Sequence, residues 1–251
     1  MKKTTFLGAA AIALMAATSA HAQSGHVGLS YQSSDDTNID STAISGSVAA
    51  GANVQIDGGY AMLEAGGGSD IDVWSVGGHL FSRGEQWLWG GYVGFSSLDA
   101  GGGASFDETT VALETQYYMA RTTFSGALGY TDADFFTGLK QTALDLELRH
   151  FVSDNFSING NVGFGSIDGV GTSDGSTYGI GAEAQLGSAP VSIYGGFQHN
   201  EIDGSPGIDS LGIGVRWNFG GGSLFDRDRS GAGLSRPTGV LGYVVGPFSP
   251  R

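Results

Sequence analysis

From Gly25 to Phe219 apolar and polar residues alternate almost without a break. Leu211, Ile213, Val215, Trp217 and Phe219 oppose Gly212, Gly214, Arg216 and Asn218. Tyr178, Ile180, Ala182 and Ala184 oppose Thr177, Gly179, Gly181 and Glu183, and Leu144, Leu146 and Leu148 oppose Asp145, Glu147 and Arg149. A period of two means strands with two unlike faces. No Pro interrupts these runs: Pro190 and Pro206 fall between segments and the other three in the last residues. About twelve such segments follow one another. Beyond residue 22 no apolar run approaches the ~18 residues a membrane helix needs, so a membrane-spanning form would have to be a closed barrel. The expected fold is all-β, a closed antiparallel up-and-down transmembrane β-barrel of about twelve strands, with ten or fourteen also compatible. A soluble secreted β-sandwich is the alternative with the same periodicity.

Residues 1–22 read differently. Lys2 and Lys3 precede an apolar stretch from Phe6 to Ala17, and Ala20-His21-Ala22 is a small-x-small cleavage site. That is the pattern of a secretory signal peptide, which leaves residues 23–219 as the barrel and 220–251 as a Gly/Pro-rich C-terminal tail. Losing Lys2 and Lys3 leaves nine basic against 25 acidic residues. Such a surface repels nucleic acid, and the absence of Cys excludes disulfide scaffolds, Cys-based metal sites and thiol chemistry.

The connections alternate in length. SSDDTNID, AGGGSD, SLDAGGGASFDE, DADFFTG, DGVGTSDG and EIDGSPGID are long; those at 51–53, 83–86, 120–121, 153–155 and 187–190 are short. Long loops on one side and short turns on the other are the rhythm of an outer-membrane barrel. About fourteen acids, among them Asp35, Asp40, Asp99, Glu108, Asp132, Asp174, Glu201, Asp203 and Asp209, are assigned to the long set. Trp87, Phe81, Tyr117, Tyr118, Phe124, Phe156, Trp217 and Phe219 gather near the short turns, where an aromatic girdle would meet the membrane interface.

The segment Gly212–Phe219, GIGVRWNF, resembles the closing strand of Gram-negative outer-membrane β-barrels, and the chain is most similar to the porin-like barrels of proteobacteria. The resemblance implies that Trp217 and Phe219 serve as an assembly signal for the barrel-assembly machinery. It also implies residence in the bacterial outer membrane after export through the periplasm, among lipids and lipopolysaccharide. The chain departs from the family pattern by continuing for 32 residues past Phe219. That tail carries four Arg against two Asp and is mildly basic where the barrel is acidic. It reads as a flexible periplasmic tail, a plug drawn into the acidic lumen, or one more strand, which would break the even strand count.

Function is then sought on the inward face. Its expected charges are Asp57, Glu114, Asp145, Glu147 and Glu183 against Arg149 and Arg216. With inward Gly such as Gly163, Gly179, Gly181, Gly212 and Gly214 filling little volume, the sequence predicts a narrow water-filled passage for small solutes that prefers cations. A closed structural or surface-interaction barrel with acidic extracellular loops is the second reading. No cofactor motif appears. An enzyme is not expected: no His has a Ser two positions on, and His199 near Glu201 and Asp203 resembles the rim site of omptin-like proteases only weakly. The loops at 66–70 and 100–108 lack the tandem repeat of a calcium solenoid, leaving weak divalent-cation binding between loop carboxylates.

Overall fold

A computed structural model of the chain describes residues 22–34, 39–65, 69–100, 105–134, 138–169 and 171–245. The signal-peptide reading of residues 1–22 therefore lies, but for Ala22, outside the described residues. Twelve strands are present: β1 (Ala22–Ser34), β2 (Ile39–Ala50), β3 (Val54–Ala65), β4 (Ser69–Arg83), β5 (Trp87–Asp99), β6 (Ser105–Met119), β7 (Thr122–Asp134), β8 (Leu139–Ser153), β9 (Phe156–Asp168), β10 (Thr172–Gln185), β11 (Val191–Ile202) and β12 (Ile208–Phe219). Each pairs antiparallel with its sequence neighbours, and β1 closes onto β12 from Gly25↔Phe219 to Ser33↔Leu211. The twelve-stranded up-and-down barrel is the expected one, and closure leaves no sheet edge.

The two faces are inverted relative to a water-soluble protein. Leu29, Leu80, Trp89, Val93, Leu113, Ile180, Leu211, Ile213 and Trp217 stand exposed on the outside, while Gln55, His79, Gln116, Gln141, Ser192 and Asn218 are buried inside. A soluble sandwich would bury the first set. No helix among the described residues is long and apolar enough to cross a membrane.

Two expectations need correction. The connections at the two ends hardly differ once the strands are traced: four, three, five, four, three and five residues at the distal mouth, against three, three, two, two and five at the mouth where β1 begins and β12 ends. Asp40, Asp70, Asp99, Asp107, Glu108, Asp132, Asp134, Asp168, Asp174, Glu201 and Asp209 belong to strands, not loops. Asp35 and Asp36 lie outside the described residues. Strands of 12–15 residues exceed the ~9–11 that cross an apolar layer, so the acids sit on strand ends that project past it. The aromatic girdle is also revised. Trp87, Phe124, Phe156 and Trp217 are exposed on the outside, and Trp87 packs on Trp89 and Tyr117. Phe81 and Tyr118 face inward, one residue out of phase, and cluster with Leu88 inside the barrel. A second outward set, Tyr31, Trp74, Tyr130 and Tyr178, lies toward the distal mouth.

The closing strand explains its terminal aromatic locally. The Phe219 ring lies over Gly25 on the paired strand β1, where any Cβ would collide with it. An aromatic covering a Gly across a strand pair restores the contact area that Gly lacks. Trp217, paired to Val27 and Val191, is exposed on the same outer face.

Candidate functional site

The lumen is occupied by the chain's own C-terminal segment. Gly220, Gly221 and Gly222 have φ of 89°, 77° and 80°, a left-handed run open to Gly but costly for other residues. It turns the chain back after β12. Helix α1 (Leu224–Ser230) follows, capped by Ser223, whose hydroxyl accepts from Asp226 N–H while Asp226 accepts from Ser223 N–H. The Ser223 N–H and the Ser223 hydroxyl, both donating to it, hold the Asp226 carboxyl below the usual carboxylate range. The segment then climbs toward the distal mouth and ends, among the described residues, in the short helix α2 (Val240–Val245) near β10 and β11. Of the three readings of the tail, the arrangement of its described residues, 220–245, is the plug.

Alternation within each strand decides what the segment meets. In β6 it turns Glu108, Thr110, Glu114, Gln116 and Tyr118 inward, and in β8 Gln141, Asp145, Glu147 and Phe151. Near the proximal mouth, the buried Asp228 accepts from Thr123 at 2.5 Å and from Arg149 at 2.7 Å, and Arg149 also donates to Glu147 at 2.8 Å. Arg229 donates to Ala120 O at 3.0 Å and sits over the Tyr118 ring. One level up, Gln55 clamps the backbone of Leu234, donating to its carbonyl at 2.8 Å and accepting from its N–H at 3.1 Å. The Leu234 side chain packs on Phe81, Leu88 and Tyr118, which accounts for three apolar residues inside a polar barrel. Above that, Ser235 donates to Glu147, Arg236 donates to Ser75, and Thr238 donates from its N–H and hydroxyl to the two oxygens of Asp145 at 2.9 and 2.8 Å. Leu241 N–H donates to Glu108 at 3.1 Å.

All seven residues expected to line a passage point into the lumen, and each is engaged. Asp57 and Glu114 flank His79, with Nε2 2.5 Å from Asp57 and Nδ1 2.9 Å from Glu114. The ring thus bridges the two acids through both of its nitrogens. Asp145, Glu147 and Arg149 hold the segment as described, and Glu183 pairs with Arg216 at 2.6 Å. Sequence reasoning missed His79, Gln55, Gln116 and Glu108. The phase of β4 was the available signal for His79, which shares a face with Phe81. For Asp228 and Arg236 the only signal was the tail's basic charge against an acidic lumen, which allowed a plug without saying which residues would dock.

The expectation that inward Gly leaves open bore is also corrected. The Tyr92 ring lies across Gly77 and Gly94, and the Tyr194 ring across Gly214. Asn161 and Asn159 lean over Gly179 and Gly181, where a Cβ would stand 2.8 Å from each amide oxygen. These Gly seat rings and amides. The remaining space includes a cavity of about 120 Å³ between the segment and a wall containing Ser47, Asp57, Tyr92 and Glu108, and another of about 130 Å³ on the β9–β12 side.

At the distal rim, His199 lies 2.5 Å from Asp209 and 3.9 Å from Glu201, with Tyr178 stacked on it. The cluster faces outward, and its near carboxylate is Asp209, not the expected Asp203. Among the described residues no group of three His, Asp or Glu is placed to hold a metal ion. Residues 66–68 and 101–104 of the two Gly-rich loops lie outside them.

Outer-membrane β-barrels are among the solved structures similar to this one. The translocator domain of the autotransporter NalP from Neisseria meningitidis is 13% identical over 86% of this chain and 96% of its own, with a TM-score of 0.56. The KdgM porin is 10% identical over 77% and 99%, with a TM-score of 0.55, and its complex with disordered oligogalacturonate scores 0.54. The fold is that of an outer-membrane β-barrel. At such identities the likeness extends to fold alone. No protein-family model and no curated protein matches the sequence.

Proposed function

We propose that the chain is a bacterial outer-membrane channel for passive diffusion of small hydrophilic solutes, its bore restricted by residues 224–245. The observation that carries this reading is a polar, charged inner surface running from mouth to mouth beneath an apolar outer one. Part of that surface holds the segment, while Asn159, Asn161, Gln198 and Ser210 line a cavity that the segment does not fill. Export by the segment 1–22, recognition of Trp217 and Phe219 by the barrel-assembly machinery and contact with lipopolysaccharide belong to the same proposal. So does the absence of catalysis.

The seven lining residues set the selectivity of the bare wall, and their five acids against two Arg give it a cation preference. The docked segment adds Arg236 and, toward the proximal mouth, Arg227 and Arg229, against Asp226 and Asp228, bringing the lumen nearer to neutrality. KdgM is a porin solved with an oligogalacturonate; a poly-anionic chain of that kind does not suit this wall, because Asp57, Glu108, Glu114, Asp145 and Glu147 would repel it. The closed-barrel reading is favoured by one feature, the hydrogen bonding of the segment from Asp228 to Leu241. Planar-bilayer recording separates the two. Small steps from the full chain, replaced by larger cation-selective ones from a chain ending at Phe219, support the channel. Silence from both, with folding verified by heat-modifiable migration, supports the closed barrel.

A further inference from the structure

The two sides of the lumen differ in chemistry. The wall from β3 to β8 carries Asp57, His79, Glu108, Glu114, Asp145, Glu147 and Arg149, and the C-terminal segment binds along it. The cavity of about 130 Å³ on the other side is lined by residues of β1, β2 and β8–β12 and by none of the segment. Its inward side chains include Gln32, Asn159, Asn161, Tyr194, Gln198 and Ser210. Each is polar and uncharged.

The charges at its margin are already matched. Glu183 accepts from Arg216 at 2.6 Å and from the Ser192 hydroxyl, while Arg149 is divided between Glu147 and Asp228. The site therefore offers a ligand no net charge. It does offer hydrogen bonds. The Asn161 amide nitrogen and the Ser210 hydroxyl have no partner among the described residues, and Ser210 is only 4% exposed. Buried polar groups of this kind are strongly favoured to bind something that donates and accepts. An amide presents both kinds of group side by side, which suits adjacent hydroxyls on one molecule. Gly212, with nothing near its missing Cβ, lets a flat or puckered ring approach the backbone wall.

We infer that this cavity is a binding site for an uncharged, hydroxyl-rich solute of monosaccharide size. The inference rests on the channel reading for the way the solute arrives, but not for its binding.

Gly212 supplies a test that leaves the fold alone. Its Cβ position faces the cavity side of β12 with nothing nearer than 3.7 Å, so Gly212→Val fills the site without forcing the backbone. Saturation-transfer NMR on the folded full chain in detergent would compare glucose with glucuronate and glucosamine, of one size and three charges. Glucose is expected to bind saturably, the charged analogues at least fivefold more weakly, and Gly212→Val to weaken glucose at least tenfold. Equal binding of all three, or glucose binding unchanged by Gly212→Val, would overturn the site. Swelling of liposomes in glucose provides the second readout. Binding without swelling would refute the channel and leave the site; swelling without saturable binding would leave the channel and refute the site.

Discussion

Asp228 is the strongest single attachment of the C-terminal segment, and replacing it measures how firmly the lumen is closed. Its carboxylate is 3% exposed and accepts from Thr123 at 2.5 Å and Arg149 at 2.7 Å, with Arg229 Nε 3.5 Å away. Breaking a buried ion pair from one side costs about 3–5 kcal/mol, because the surviving charge is left unpaired. Here Arg149 keeps Glu147 at 2.8 Å, so the loss on Asp228→Ala is set lower, at about 2–4 kcal/mol. At 1.4 kcal/mol per decade that shifts the docked-to-undocked ratio roughly 30- to 700-fold. Arg236 reports the shift, because it hydrogen-bonds Ser75 within the lumen and becomes a site for clostripain, which cleaves the Arg236–Pro237 bond that trypsin does not, only when the segment leaves. Cleavage after Arg236 in the detergent-solubilised protein should accelerate in the same proportion, and bilayer current should rise with it. Equal cleavage rates for wild type and Asp228→Ala would refute the view that this ion pair holds the segment in place.

Three further outcomes follow from the same geometry. Leu234→Ala should weaken docking by about 1–2 kcal/mol, from apolar area lost against Phe81, Leu88 and Tyr118, and raise Arg236 cleavage about ten-fold; the Gln55 backbone clamp survives the change. Ala120 stands in the two-residue β6–β7 turn at φ 45°, so Ala120→Gly should stabilise the barrel by about 1 kcal/mol in urea unfolding, and a loss of stability would contradict the strain. The depressed carboxyl of Asp226 gives a sign-definite pH dependence. Its contribution to α1 is full above the ordinary aspartate pKa of about 3.9 and is lost as pH falls through the lower folded value. Amide exchange over residues 224–230, corrected for intrinsic rates, should therefore speed up below about pH 4 in the wild type, and Asp226→Asn should show the faster exchange at neutral pH already.

The two-residue period from Gly25 to Phe219 was enough to read about twelve strands and to put Asp145 and Leu146 on opposite faces, because pleating forces successive side chains to opposite faces. The seven inward charges were legible for the same reason. Heights and boundaries were not. Glu108 and Asp174 look like loop acids in a Gly- and Ser-rich stretch, yet their strands run on through it, since pairing with a neighbour continues wherever register allows. Phe81 and Tyr118 carried the right residue type for a girdle and the wrong phase.

What the amino-acid sequence by itself determined is the series of two-faced strands: alternation is local, and each residue's face follows from its neighbours. What only the tertiary structure decided is the state of the lumen. Whether Leu234 meets Phe81, or Arg149 meets Asp228, depends on contacts across about 80 to 150 residues that no local pattern encodes. A Gly-rich turn at 220–222 is equally compatible with a free tail. The barrel's inner wall, with Gln55, Asp145 and Arg149 each holding the segment at a different height, is what gives residues 224–245 a place to bind, and so makes a plug of a Gly-rich tail.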